Sequence, residues 1–225
     1  MKTLAFDTST KYLTIACLEG EEVKAEFHKD VGIGHSEILV PTFKGLLEKL
    51  DWKITGIDLV CVGIGPGSFT GLRIAVATVK GLAAVIKNKL VGVPSMDAMA
   101  LNFPSSEKNI APLLDARKGK VYSCIYDRSG EGARRITDYL LVTVEELLES
   151  LEEEVVFFGD GVDRYEDKLA GHPLVSYDKN VDWYPKASHI GRIGLKRSCY
   201  MKDDPETIEP LYLHAKECNI TGDRR

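Results

Sequence analysis

The sequence predicts an α/β protein made of two related lobes, and three observations predict it. The run IDLVCVGIG at 57–65 is apolar on both faces, as a strand covered on each side of a sheet must be. The segment that follows, from about Ser68 to Ile86, has helical character, is apolar nearly all round and is rich in Ala and Gly, so it belongs between layers or against another chain. A coarse order also recurs in both halves: strand–turn–strand, a helix, then a strand ending in Gly-x-Gly. VGIGPG at 62–67 is answered by FFGDG at 157–161. The 225 residues suffice for one large domain or two small ones, each with its own core.

Taken in order, TLAFD (3–7) is a short apolar run ending in DTST. LTIACLEG (13–20) and EVKAEFHK (22–29), split by a Gly-Glu turn, complete a strand meander of period two. HSEILVPTFKGLLEKL (35–50) changes to the helical period. Leu39, Phe43, Leu46, Leu47 and Leu50 share one stripe, Ser36 is the expected cap, and Pro41 marks either a kink or the start of the helix proper. LVGVP (90–94) reads as a buried strand and SMDAMALNF (95–103) as a short helix capped by Ser95. The chain turns polar at Pro104–Lys108, where a second unit begins. In it, 111–127 is strand, tight basic turn, strand; 143–154 a charged amphipathic helix; 155–162 a strand and turn; 165–171 a short helix closed by Gly171. The segment 186–197 is a last helix, and EPLYL (209–213) an extended end.

Composition narrows the function classes. Apolar residues at 44% and charged residues at 28% are a soluble globular balance. A net charge of −5 provides no global field toward nucleic acid or an anionic membrane. The five cysteines are scattered, with no CxxC pair, and read as reduced, packed thiols of a cytoplasmic protein. Asp7 interrupts any signal-peptide core, and Arg73 and Lys80 interrupt the most apolar helix, which argues against a membrane span. None of His28, His35, His172, His189 and His214 stands four residues from another, so no helix offers a two-histidine metal face.

Two stretches are candidates for holding phosphate. GIGPGSFTGLR (63–73) links a strand to a helix, but it lacks the lysine and hydroxyl of a P-loop. It also has Ser68 where the dinucleotide fingerprint needs a third glycine. A phosphate could dock on the N–H groups at the helix start, near Gly65, Gly67, Ser68 and Thr70. The spacing favours the plainer role, in which Gly65–Pro66–Gly67 reverses the chain and Gly71 permits close helix packing. DTST, comprising Asp7, Thr8, Ser9 and Thr10, suits either a hydrated Mg²⁺ and a phosphate or a simple hairpin cap. Asp115 reads as orienting the basic turn Arg117–Lys118–Lys120, and no nucleophile–His–acid set can be assembled.

Five ordered blocks now carry a resemblance: LAFDTST (4–10), GHSEILVP (34–41), GIGPGSFTGLRIA (63–75), PSMDAMA (94–100) and LLDARKGKVY (113–122). Together they resemble the bacterial TsaB (YeaZ) family, specifically to about residue 125 and more loosely beyond. The resemblance implies two ribonuclease-H-like lobes of the actin/Hsp70/sugar-kinase superfold, the second reduced. Residues 1–103 would form the first lobe, 104–185 the second, and 186–225 would pack back on the first, as terminal helices in this superfold often do. It further implies a non-catalytic partner of the paralogue TsaD which, with the ATPase TsaE, serves the transfer of threonylcarbamoyl to adenosine 37 of ANN-decoding tRNAs. The chain itself would need no cofactor and no metal. ATP or ADP and Mg would belong to the complex interface, tRNA would be met through the complex, and the free chain would pair with itself. Relatives are also described as glycoprotease-like or M22 peptidase homologues, a chemistry for which the residues supply no metal pair. The missing HxxxH and a second unit of about 85 residues agree with a non-catalytic copy. So does Ser9, whose β-carbon crowds the place where glycine would admit a phosphate.

The resemblance places the pairing surface on the two first-lobe helices. The expected interface residues are His35, Leu39, Phe43, Leu46, Phe69, Leu72, Arg73, Val76, Ala77 and Lys80, with Arg73 and Lys80 two turns apart on one face. The alternative is that the glycine-launched helix is buried within its own chain, and both can hold for opposite faces. Two rivals remain at this stage. One is an active ATPase or small-molecule kinase using Asp7, Ser9 and Gly159–Asp160–Gly161. The other is a nucleic-acid binder working through Arg117, Lys118 and Lys120.

Overall fold

Alternation along the first strands decides the layering of the first lobe. A computed structural model describes residues 1–86, 89–130 and 132–213. Strands β1 (Lys2–Asp7), β2 (Tyr12–Glu19) and β3 (Glu22–Asp30) form an antiparallel meander, followed by helix α1 (His35–Lys49). Strand β4 (Leu59–Gly63), helix α2 (Phe69–Val85), strand β5 (Lys89–Val93) and helix α3 (Ser95–Ala100) follow. The sheet order is β3-β2-β1-β4-β5, with β4 parallel to both neighbours. On one face Leu4, Phe6, Leu13, Ile15, Val60 and Val62 pack with Leu39, Phe43, Ala75 and Val79 of α1 and α2. The residues between them, Ala5, Ala16, Cys61 and Val91, point the other way and meet Ala98 of α3 with Ala187 and Ile190 of helix α6 (Ala187–Arg197). The sheet is thus covered on both faces, as the doubly apolar β4 requires.

The second sheet repeats this plan. It contains β6 (Asn109–Arg117), β7 (Lys120–Ser123), β8 (Tyr126–Asp127), β9 (Arg134–Arg135), β10 (Leu140–Thr143), β11 (Val155–Phe158) and β12 (Val175–Tyr177). Its main order is β10-β7-β6-β11-β12, antiparallel on the β7 side and parallel on the β11 side, which matches the first sheet position by position. The helices are shorter: α4 (Val144–Glu149) stands where the first lobe has α1, and α5 (Asp160–Leu169) where it has α2.

Several local expectations are corrected. Helix α1 starts at His35 behind Gly34, whose carbonyl receives the N–H groups of Glu37 and Ile38, so Ser36 is not its cap. Pro41 lies inside α1 on its solvent side, six residues after His35, so the helix does not start at it. Ser95 lies within the first turn of α3, with Pro94 at the cap position, because its hydroxyl is engaged elsewhere. The charged helix expected over 143–154 stops at Glu149. It is opened by a capping box between Thr143 and Glu146, and the acidic run that follows lies outside it. Helix α5 begins at Asp160 rather than Tyr165. EPLYL forms no strand, although the Leu211 N–H reaches the Ile64 carbonyl at 2.8 Å.

Candidate functional site: a closed phosphate corner and an exposed helical face

Asp7 ends β1 fully buried. Its Oδ1 accepts the backbone N–H of Ser9 at 2.7 Å and the Ser9 hydroxyl at 2.6 Å, and its Oδ2 accepts the Ser95 hydroxyl at 2.5 Å. Ser95 accepts the Gly65 N–H at 3.0 Å and returns its own N–H to the Gly65 carbonyl at 2.8 Å. The turn after β4 is therefore tied to β1 through a carboxylate and a hydroxyl. Burial pushes the Asp7 carboxyl up from its ordinary value, against the hydrogen bonds of Ser9 and Ser95.

A second set of bonds seals the helix start. The Ser68 N–H donates to the Ser9 carbonyl at 2.6 Å and the Thr8 hydroxyl to the Gly71 carbonyl at 2.8 Å, while the Gly71 N–H is taken by the Ser68 hydroxyl at 3.2 Å. Approach is so close that a β-carbon at Gly67 would overlap the Ser9 carbonyl, and one at Gly71 the Thr8 carbonyl. Of the DTST segment, Asp7 and Thr8 are shut away, while Ser9 and Thr10 reach the inter-lobe cleft with Gly67 and Ser68. With Asp7 and Thr8 wholly inaccessible, the Asp7 carboxylate is not open to a hydrated Mg²⁺, and the N–H groups of Ser68 and Gly71 are already engaged. The glycines serve packing.

Beyond the corner, Ser9, Lys11 and Ser68 face Asp115, Arg117 and Asp160 across an inter-lobe cleft of about 620 Å³. Asp160 accepts the Asp115 N–H at 3.1 Å, and burial, with the neighbouring Asp115 carboxylate, raises its carboxyl. Asp115 accepts the Arg117 N–H at 3.1 Å and so orients the basic hairpin turn. Gly159–Asp160–Gly161 opens α5 at this cleft but does not meet Asp7, which is shut away from it.

The two first-lobe helices divide the expected interface residues. His35, Leu39, Phe43, Leu46, Leu72 and Val76 are turned inward, the last five as part of the chain's own core or its margin. The His35 imidazole lies 3.3 Å from the Tyr12 carbonyl. These six are buried in the chain itself, Leu46 and Val76 at 8% exposure each, so they offer a partner little surface. Phe69, Arg73, Ala77 and Lys80 lie on the solvent side of α2. Around them Ile33, Val40 and Val85 are also exposed, at 99%, 47% and 71%. The Arg73 guanidinium sits 3.9 Å over the Phe69 ring and donates to the Tyr212 hydroxyl at 3.3 Å, and Lys80 donates to the Glu206 carbonyl at 3.0 Å. The segment around 203–212 thus borders this face. It is held by Asp203 on the Gly92 N–H at 2.7 Å and by buried Ile208.

The chain matches, over residues 24–177, the family model described as TsaD, tRNA N6-adenosine threonylcarbamoyltransferase. It is 33% identical over 224 residues to the tRNA threonylcarbamoyladenosine biosynthesis protein TsaB of Bacillus subtilis (strain 168), covering 96% of each chain. The chain belongs to the TsaB (YeaZ) family. TsaB of Escherichia coli (strain K12) is 29% identical over 224 residues, covering 95% of this chain and 94% of that one. The solved YeaZ from Pseudomonas aeruginosa shares the fold, with a TM-score of 0.80 at 24% identity over 94% of this chain and 99% of that one. The family is one of tRNA threonylcarbamoyladenosine biosynthesis, and its fold is the actin-like pair of ribonuclease-H-like lobes seen in the two matching sheets.

Within this TsaB fold, sequence reasoning missed Ser95 as the link between Asp7 and the glycine turn, and Tyr212 as the partner of Phe69 and Arg73. Serine before a short helix signals a cap, so Ser95 carried no separate mark. Tyr212 is bound to α2 only through tertiary structure.

Proposed function

We propose that this chain is the non-catalytic docking subunit of the assembly that transfers threonylcarbamoyl to adenosine 37 of ANN-decoding tRNAs. It binds the catalytic paralogue TsaD and, with it, the ATPase TsaE. The observation that carries this reading is the closed corner: Asp7, the residue a kinase-like enzyme of this fold needs at its phosphates, is buried under Ser9 and Ser95. A chain with that corner sealed contributes surface. The surface is the α1–α2 face, where Val40, Phe69, Ala77 and Val85 stand exposed with Arg73 among them, the apolar-plus-arginine make-up of a docking patch. The free chain pairs through the same face, and ATP or ADP with Mg belongs to the joint with the partner.

Reconstitution tests the reading. This chain is mixed with TsaD, TsaE, ATP, the threonylcarbamoyl adenylate and tRNA, and then left out. Modification should fail on omission, and Val40→Glu with Ala77→Glu should abolish co-elution with TsaD while leaving the fold intact, since both positions are exposed. Full modification without the chain, or turnover of ATP by the chain alone that Asp7→Ala removes, would overturn it.

A further inference from the structure

The face of the first lobe opposite α1 and α2 carries a second surface. The inner side of α6 packs on the sheet, while its outer side, α3 and β9 enclose a groove of about 750 Å³. Arg192, Lys196 and Arg197 line it from α6 and Arg135 from β9, with Tyr139 and Tyr200 beside them. Among the described residues, one carboxylate, Asp97, lines the groove. Its Oδ1 already accepts the hydroxyls of Tyr126 at 2.9 Å and Tyr139 at 2.8 Å.

None of the four cations stands in an ion pair among the described residues, whereas Lys11, Lys108, Lys168 and Lys179 each do. Arg192 donates to the Glu21 carbonyl at 3.3 Å and Arg197 to the Met201 sulfur at 3.4 Å, so each guanidinium is steadied and keeps further donors. The Arg135 guanidinium lies 4.5 Å from the Tyr139 ring centre, and the Tyr200 ring is 75% exposed. Burial first, then Arg192 and Lys186, push the imidazole of groove-lining His189 down. In a chain of net charge −5, four cations outside any ion pair among the described residues gather in one concavity, a local positive field that favours an anion.

We infer that this groove binds RNA, the cations meeting the phosphate backbone and Tyr200 offering a ring on which an unpaired base stacks. Cations interleaved with open aromatic faces are what a groove for unpaired nucleotides uses, whereas a bilayer needs a flat or convex apolar face. That the RNA is the tRNA under modification rests on the function proposed above. Because α6 and α1–α2 cover opposite faces of one sheet, RNA and protein partners can be held together.

The test measures binding of an ANN-decoding tRNA, by fluorescence anisotropy, to the chain alone and to the assembled complex. Arg135→Glu with Lys196→Glu changes two exposed side chains, and a thermal melt checks the fold. At about 50 mM salt the double variant should bind at least about tenfold more weakly. Its affinity should also fall roughly tenfold less than wild type between about 50 and 200 mM salt, the share owed to two phosphate contacts. Tyr200→Ala should weaken binding equally at both salts, and Lys44→Glu should change nothing. Unchanged affinity and salt slope in the double variant overturn the inference, as does wild-type chain that adds nothing to tRNA affinity in either setting. Loss of polyglutamate binding with tRNA binding intact overturns it in favour of an acidic protein partner. If the chain proves dispensable for modification while the double variant still loses RNA, the proposed function fails and the groove stands. If the chain is required and the variant keeps its KM for tRNA, the groove fails alone.

Discussion

Replacing Asp7 with asparagine preserves the shape of a buried side chain and removes its charge. In the native corner three donors converge on the carboxylate: the Ser9 N–H, the Ser9 hydroxyl and the Ser95 hydroxyl. An asparagine oxygen still receives both Ser9 donors, and its NH₂ can donate to the Ser95 hydroxyl oxygen. About one hydrogen bond, ~1 kcal/mol, is lost, and the desolvation cost of a buried ion is relieved. Asp7→Asn should therefore lie within about 1 kcal/mol of wild type at neutral pH. Asp7→Ala leaves all three donors without an acceptor inside the protein, at about 1–3 kcal/mol for the fixed N–H and somewhat less for each hydroxyl that can turn. The sum is about 3–5 kcal/mol, a large part of an ordinary domain's stability. Urea unfolding followed by Trp fluorescence measures both, and the reconstituted modification assay measures function.

The pH dependence has a definite sign. Burial holds the folded Asp7 carboxyl above its ordinary 3.8, so the native state binds the proton more tightly than the unfolded chain. That contribution to stability is full below the ordinary value and declines as pH rises through the folded one. Relative to wild type, Asp7→Asn should thus gain stability as pH rises from the ordinary 3.8 through the raised value of the folded state. A well-folded Asp7→Asn protein that no longer supports modification would show that the carboxylate does chemistry, and would refute the structural role. Wild type gaining on the variant as pH rises would refute the burial argument.

Two glycines should respond in opposite ways. Gly71→Ala drives a methyl into the Thr8 carbonyl and should cost about 1–3 kcal/mol, while Gly45→Ala in α1, with nothing near its added carbon, should gain up to about 1 kcal/mol; equal thermal shifts would contradict the close approach of α2 to β1. Alkylation of the native protein, read by peptide mass spectrometry, should mark exposed Cys199 first among Cys17, Cys61, Cys124 and Cys199. Burial pushes the thiols of Cys17 and Cys124 up to about 11 and raises that of Cys61 further, so these three should react only after denaturant is added.

What was legible in the sequence was whatever a local period or a local steric rule dictates. The alternation of β1 to β3 and the doubly apolar β4 imposed a sheet covered on both faces, and the Gly-x-Gly echo carried the duplication of the lobes. The absence of a P-loop lysine from GIGPGSFTGLR favoured a packing role for its glycines, whereas DTST by itself left a phosphate site and a hairpin cap both open. Tertiary structure decided which partner each side chain meets, because that depends on chain segments brought together from far apart. Ser95 is 88 residues from Asp7, and only the adjacency of β1, β4 and β5 turns it from an apparent cap into the link that closes the corner. The same holds for α2. Its apolar circumference is a property of the sequence, but only packing on β1 and β4 decided that Leu72 and Val76 face the lobe while Phe69, Arg73, Ala77 and Lys80 face solvent. The groove of Arg135, Arg192, Lys196 and Arg197 has no local signature either. It arises because β9 of the second lobe comes to lie beside α6 of the first, so charges dispersed along an acidic chain converge in space.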